Sequence, residues 1–242
     1  MFTIFKKEVN QFLNSLLGYL VLILFLVATG LLFWVFPETN VIDYGFADMG
    51  GFFSLTPYVF IFLIPAITMR SIADEKKSGT LEWLLTKPLT EWDILLGKFL
   101  ASWFLVFLAL IPTLFYFGSL FILGNPKGNI DAAGVTGSYL GLLLLASVFS
   151  SIGIFGSSLT DNQLVAFVLS VFLCFLLYSG MGSLAAIDVW SSAAPVIQYF
   201  GLDYHYQALG KGLIDIRDVA YFSSSTLALL FATRLVLSSR RW

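Results

Sequence analysis

Six long runs of apolar residues, five of them free of charged side chains, determine what this sequence can fold into. A helix needs roughly 20 apolar residues to cross the ~30 Å hydrocarbon core of a bilayer. Charged residues are 12% of the chain, well below the share in an average soluble domain. The sequence therefore predicts an all-α membrane protein, with residues 1–242 forming a single transmembrane domain of six helices. The predicted spans are residues 16–36, 52–69, 99–123, 138–159, 164–187 and 219–237.

The lysine and arginine residues fall mainly on one of the two sides that six spans create. That side carries Lys6, Lys7, Arg70, Lys76, Lys77, Lys87, Lys98, Arg240 and Arg241. The opposite side carries Lys127, Lys211 and Arg217. Because positively charged loops stay in the cytoplasm, the sequence predicts that both termini and residues 70–98 are cytoplasmic. No cleavage site follows Lys6 and Lys7, so we do not expect a cleaved signal peptide.

Two further segments are too polar or too broken to span the bilayer. Residues 2–15 place their apolar side chains on one helical face, which predicts an amphipathic helix in the cytoplasmic interface. The alternative is that they form only the polar start of the first span. Residues 188–218 contain apolar patches in a long outer loop. We expect one or two short helices there, dipping into the outer leaflet against the bundle.

The sequence carries no motif for enzyme chemistry. It lacks a phosphate-binding G-x-x-x-x-G-K-[ST] loop and the H-E-x-x-H zinc motif, as well as the G-x-S-x-G nucleophile motif. The single histidine, His205, cannot complete a metal site, and we expect it to close a local hydrogen bond. The net charge of −2 gives no reason to expect nucleic acid. No catalytic residue, metal or cofactor is therefore predicted, and membrane lipid is the expected surrounding.

The first five predicted spans contain no Asp, Glu, Lys, Arg or His. Ion-coupled carriers usually hold their coupling ion at such groups within the membrane. An autonomous ion-coupled carrier is therefore the least favoured function. If the protein moves a substrate, the energy is expected to come from outside this chain.

The loop between the second and third spans has its own pattern of helix signals. The second span can continue as a helix through Lys77, and Gly79 then breaks it. Thr80 is a suitable N-cap for a short helix that Pro88 ends after about two turns. Thr90 with Asp93 three residues later signals the start of the next helix.

So short a helix is not stable alone in water, so its apolar side chains must be buried. These side chains are Leu81, Trp83, Leu84 and Leu85. They can pack against the protein's own helices or the lipid interface, or they can dock into a groove on a cytoplasmic partner. The residues alone leave both alternatives open.

This loop resembles the signature of ABC-2 type permeases, the membrane subunits of a class of ATP-driven exporters. The matching residues are Glu75, Lys76, Lys77, Gly79, Thr80, Leu81, Glu82, Leu84, Leu85, Thr86 and Pro88. Residues 212–222 are similar to the junction between the outer loop and the last helix of that family. Within it, the chain looks most like the gliding-motility-associated permeases of the GldF type.

The resemblance implies a cytoplasmic coupling helix between spans two and three, seated in a cleft of a separate ATP-binding cassette subunit. The residues assigned to this ATPase-coupling role are Glu75, Lys77, Gly79, Thr80, Leu81, Glu82, Trp83, Leu84, Leu85 and Pro88. It also implies a bacterial inner-membrane location and a second permease chain, either another copy or a GldG-like protein, beside a GldA-like ATPase. The alternative function is a non-transporting scaffold that anchors an ATPase to a motility or secretion apparatus.

Overall fold

A computed structural model of the chain describes residues 1–36, 39–43, 47–80, 90–187, 193–212 and 214–239. Every regular element within these ranges is helical. Six of the helices are long enough and apolar enough to cross a membrane. The prediction of an all-α protein with six spans is therefore confirmed.

The helices alternate between long spans and short connecting elements. Their bounds are α1 Phe2–Leu13, α2 Leu16–Trp34, α3 Gly50–Thr68, α4 Ala73–Lys77, α5 Glu91–Leu110, α6 Leu114–Leu123, α7 Ala132–Leu159, α8 Gln163–Phe175, α9 Met181–Ala185, α10 Ala194–Tyr199, α11 Leu202–Leu209 and α12 Ile216–Ser238. A 3₁₀ turn at Ile111–Thr113 joins α5 to α6, and a π-helical turn at Leu176–Gly180 joins α8 to α9. The six spans are α2, α3 with α4, α5 with α6, α7, α8 with α9, and α12.

The N-terminal helix α1 is separate from the first span. The chain leaves helical geometry at Ser15, whose side chain accepts a hydrogen bond from the Gly18 amide at 2.9 Å and so caps α2. Ile4 and Val9 are buried, whereas Phe2 is 73% exposed. The helix lies along α5. The alternative in which these residues merely begin the first span is therefore wrong.

Helix α7 lies at the centre of the bundle and is packed against α3, α5, α8, α11 and α12. Glycine allows two of these close approaches. A Cβ atom at Gly153 would overlap the side chain of Thr68 in α3, and one at Gly156 would overlap that of Ser170 in α8. Small residues let transmembrane helices come close enough to gain dispersion energy, which is the main attraction available in lipid.

Met1, the described end of α12 and residues 69–80 lie on one face of the bundle, here called the termini face. Ile72 beside α4, Leu95 in α5, Ile154 in α7 and Leu237 in α12 form a small apolar cluster there. Helix α5, which forms the third span, begins at Glu91, eight residues before the predicted start of that span, so Lys98 lies inside the helix. The helix that was predicted to start at Thr90 leads into the third span, and it continues through Lys98 because the apolar residues 94–96 follow its first turn.

The segment between the fifth and sixth spans contains two short helices, α10 and α11, as expected. Tyr206 of α11 is buried, and its hydroxyl donates to the Phe53 carbonyl of α3 at 2.8 Å. Burial raises the pKa of the Tyr206 phenol, so it remains a donor. His205 Nδ1 lies 2.7 Å from Asp218 Oδ1, and its Nε2 lies 2.9 Å from the Tyr199 carbonyl oxygen. The histidine thus closes local hydrogen bonds, as predicted.

Candidate functional site

The second span continues to Lys77 as predicted, but its helix is interrupted by a turn between Thr68 and Ala73. Helix α3 ends at Thr68, and the chain turns before α4 begins at Ala73. The Ser157 hydroxyl of α7 accepts from the amides of Ile72 at 3.0 Å and Ala73 at 2.9 Å. It also donates to the Met69 carbonyl at 2.9 Å. One buried hydroxyl therefore satisfies the backbone groups that the break releases.

Helix α4 is attached to the turn between α7 and α8 by polar side chains. The Lys76 ammonium donates to the Ser158 carbonyl, and the Gln163 amide donates to the Asp74 carboxylate. The Arg70 Nε donates to the Gln163 Oε1 at 3.2 Å. These contacts fix the position of α4 relative to the fourth and fifth spans.

Lys98 joins α4, α5 and α1 through a buried set of charges. Its Nζ lies 2.9 Å from Glu8 Oε1 and 2.9 Å from Glu75 Oε1, and donates to the Ser71 carbonyl at 2.6 Å. The Lys98 side chain is 1% exposed. We call Glu8, Glu75 and Lys98 the Lys98 cluster. Lys7 lies on its exposed side, with Nζ 3.3 Å from Glu75 Oε1.

Sequence reasoning assigned Glu75 to the site but missed Glu8 and Lys98. Glu8 and Lys98 are separated by 90 residues, so no local spacing connects them. The helix start signal at Thr90, followed by apolar residues 94–97, was the available indication that Lys98 lies within a helix. A buried lysine then requires acidic partners, because an unpaired charge in the interior is strongly unfavourable.

Gly79 ends α4, as predicted. Its φ of +70° is in the left-handed region that glycine adopts without steric cost. Its amide donates to the Lys76 carbonyl at 3.1 Å. The Thr80 hydroxyl lies 2.8 Å from the Ser78 hydroxyl and donates to the Glu75 carbonyl at 3.4 Å. Residues 77–80 are exposed on the termini face, so Lys77, Gly79 and Thr80 stand at the free end of α4.

The remaining predicted coupling residues, Leu81, Glu82, Trp83, Leu84, Leu85 and Pro88, lie outside the described residues. The description resumes at Thr90, where a reciprocal capping box confirms the predicted helix start. The Thr90 hydroxyl accepts from the Asp93 amide at 3.2 Å, and the Asp93 carboxylate accepts from the Thr90 amide at 3.2 Å. The described residues on either side of residues 81–89, Thr80 and Thr90, are thus each held by hydrogen bonds.

The start of α5 is also attached to the last span. The Arg234 guanidinium donates to Glu91 Oε2 at 3.2 Å and lies over the Trp92 ring at 5.4 Å from its centroid. The N-terminal ammonium lies 3.4 Å from Asp93 Oδ1. Helix α4 is therefore attached to α7 and α8, and the start of α5 is attached to α1 and α12.

The charges of the Lys98 cluster are paired with one another and with a backbone carbonyl, whereas the buried Glu75 Oε2 accepts no hydrogen bond. Among the residues that the structure describes, no group of three His, Cys, Asp or Glu side chains is placed to hold a metal ion.

Six spanning helices with a separate N-terminal helix define a multi-pass membrane protein. The family model for the ABC-2 family transporter protein matches residues 37–209, well over half of the chain. The protein therefore belongs to the ABC-2 transporter family and is a membrane-spanning permease subunit of an ABC transporter. In this family the ATPase is a separate subunit and the permease is the transmembrane component. A search of the curated proteins gave no match.

Proposed function

We propose that this chain forms one half of the membrane domain of an ATP-driven exporter, and that residues 75–88 dock the ATP-binding subunit. The observation that carries the proposal is the attachment of α4 to α7 and α8, and of the start of α5 to α1 and α12, with residues 77–80 exposed on the termini face. A segment held in this way can pass the movement of a docked ATPase into the spanning helices. Apolar side chains such as Leu84 and Trp83 would be buried in the docking cleft.

The termini face is proposed to be cytoplasmic, in a bacterial inner membrane. Its described residues include Lys6, Lys7, Arg70, Lys76 and Lys77. The described basic residues on the opposite face are Lys127, Lys211 and Arg217. The positive-inside rule supports this orientation, which places residues 75–88 where a cytoplasmic ATPase can reach them.

The proposed assembly contains two permease chains and two ATP-binding subunits. Residues 1–242 are taken as a single transmembrane domain with six spans, so a second chain is needed to complete a translocation path. It is either another copy or a GldG-like protein, beside a GldA-like ATPase. The resemblance of the loop to gliding-motility permeases supports a role in gliding or secretion.

Co-purification tests the docking role. The tagged chain is expressed with the ATP-binding subunit encoded beside it, and the amount of ATPase retained is measured. Leu84→Asp and Trp83→Ala are expected to cost about 2 kcal/mol or more each, which is roughly 30-fold in Kd. Asp161→Lys is the matched control, because Asp161 is exposed in the turn between α7 and α8 on the same face.

Unchanged ATPase retention in both docking variants would remove the proposed role of residues 75–88. A second experiment separates transport from scaffolding. An ATPase subunit that binds but cannot hydrolyse ATP should abolish function in cells if the complex is an exporter. Full function with that subunit would support the scaffold instead.

A further inference from the structure

We infer that Lys98 is a positioning residue that makes the N-terminal helix α1 move with the docking segment when the ATPase binds nucleotide. This inference rests on the proposed docking role of residues 75–88. It extends the transmission route to a part of the chain outside residues 37–209, which the family model matches.

The route begins at the exposed end of α4. Thr80, which belongs to the docking segment, donates a hydrogen bond from its hydroxyl to the Glu75 carbonyl at 3.4 Å. The Glu75 side chain binds Lys98 at 2.9 Å, and Lys98 binds Glu8 of α1 at 2.9 Å. A single ammonium group therefore connects the docking segment, the third span and α1.

The chemistry of the ammonium makes this connection stiff. The Lys98 ammonium donates to Glu8 Oε1 and to the Ser71 carbonyl, and it forms an ion pair with Glu75 Oε1. Its side chain is 1% exposed, and those of Glu75 and Glu8 are 13% and 19% exposed. Separating either carboxylate from Lys98 would leave that carboxylate with only the exposed Lys7 as a counter-charge, which is unfavourable. The three elements are therefore expected to move as one body.

Packing supports the same link between α1 and α5. A Cβ atom added at Gly97 would lie 2.9 Å from the Cβ of Ile4, so the two helices are in close contact beside Lys98. Only Asn14 and Ser15 separate α1 from α2. Movement of α1 is thus passed directly to the first span.

The test uses the purified complex of the full chain with its ATP-binding subunit in lipid nanodiscs. Spin labels are attached to cysteines at Lys6 in α1 and at Lys211 on the opposite face, both of which are exposed. The distance between the labels is measured without nucleotide and with a non-hydrolysable ATP analogue. We expect a nucleotide-dependent change in the distance distribution of the native complex.

Lys98→Met and Glu8→Leu should retain the ATPase but reduce the nucleotide-dependent population shift about fivefold or more, a factor typical of coupling between sites. Glu8→Leu removes the acceptor on α1 and leaves the Lys98–Glu75 pair intact, so it is the deciding variant if Lys98→Met does not fold. Asn10→Ala, an exposed change on α1, is the control and should shift like the native chain.

The outcomes separate the two proposals. Loss of the ATPase from the native chain would overturn the docking role itself. If the ATPase is retained, an unmoved label in the native complex overturns the inference about Lys98. A full shift in Glu8→Leu overturns it as well.

Discussion

Removing the Lys98 charge should destabilise the fold by an amount that the structure allows us to calculate. Glu8 Oε1 and Glu75 Oε1 each lie 2.9 Å from the same nitrogen, so these two oxygens are less than about 6 Å apart. In Lys98→Met the two carboxylates face each other without that counter-charge. Their repulsion is about 3 kcal/mol at an effective dielectric constant near 20. This agrees with the 3–5 kcal/mol measured when one partner of a buried pair is removed.

Lys7 offsets part of this repulsion, but only weakly. Its ammonium is 3.3 Å from Glu75 Oε1 and 3.7 Å from Glu8 Oε1. The Lys7 side chain is 54% exposed, so water and salt screen its charge. We therefore expect a net loss of about 2–3 kcal/mol in the free energy of unfolding for Lys98→Met.

The assay is reversible unfolding of the purified chain in mixed detergent micelles, followed by helix content. The double variant Lys98→Met with Glu75→Gln removes the repulsion and should be more stable than Lys98→Met alone. Lys127→Met, at an exposed lysine on the opposite face, should change the stability by less than about 0.5 kcal/mol. A cost below about 1 kcal/mol for Lys98→Met, or a double variant less stable than the single one, would refute the buried-pair reasoning.

Three further substitutions test separate parts of the fold. Ser157→Ala leaves the amides of Ile72 and Ala73 without their acceptor and should lower the free energy of unfolding by about 1–3 kcal/mol in the same assay. The control, Ser183→Ala at an exposed serine, should leave the stability unchanged. Equal stability of the two variants would contradict the capping role of Ser157. Gly79→Val places a branched residue at a φ of +70°, so it should lower the free energy of unfolding by about 1–2 kcal/mol and reduce ATPase retention. Normal retention with normal stability would contradict this role of Gly79. Gly153→Leu should prevent α3 from approaching α7, so the purified variant should no longer elute as a monodisperse peak on size exclusion. An unaltered profile would contradict the close packing of α3 and α7 at this glycine.

Hydropathy and helix signals predicted the spanning helices and several of their ends, because these features depend on neighbouring residues. Thr90 and Asp93 interact within one turn, so their pattern was readable as a helix start. The helix end at Gly79 could be predicted for the same reason, since it depends only on the backbone geometry of Gly79 itself.

The features that the sequence did not reveal depend on residues far apart in the chain. The break after Thr68 exists because Ser157 approaches from another helix, and no local residue signals it. The Lys98 cluster likewise needs the α1 and α5 helices to be adjacent before Glu8 and Lys98 can meet. A lysine can be buried in a helix in this way when acidic side chains surround it.

The bend between α3 and α4 has a different character from one built on proline. Residues 69–72 contain neither proline nor glycine, so their own backbone permits a straight helix. The turn persists because Ser157 offers substitute hydrogen bonds, and it lasts only while α7 stays beside it. If α7 moved away, the freed amides and carbonyls would regain hydrogen-bond partners by continuing helix α3. The turn between α3 and α4 therefore depends on the contact with Ser157. Loss of that contact would lengthen α3 and move the exposed Gly79 sideways.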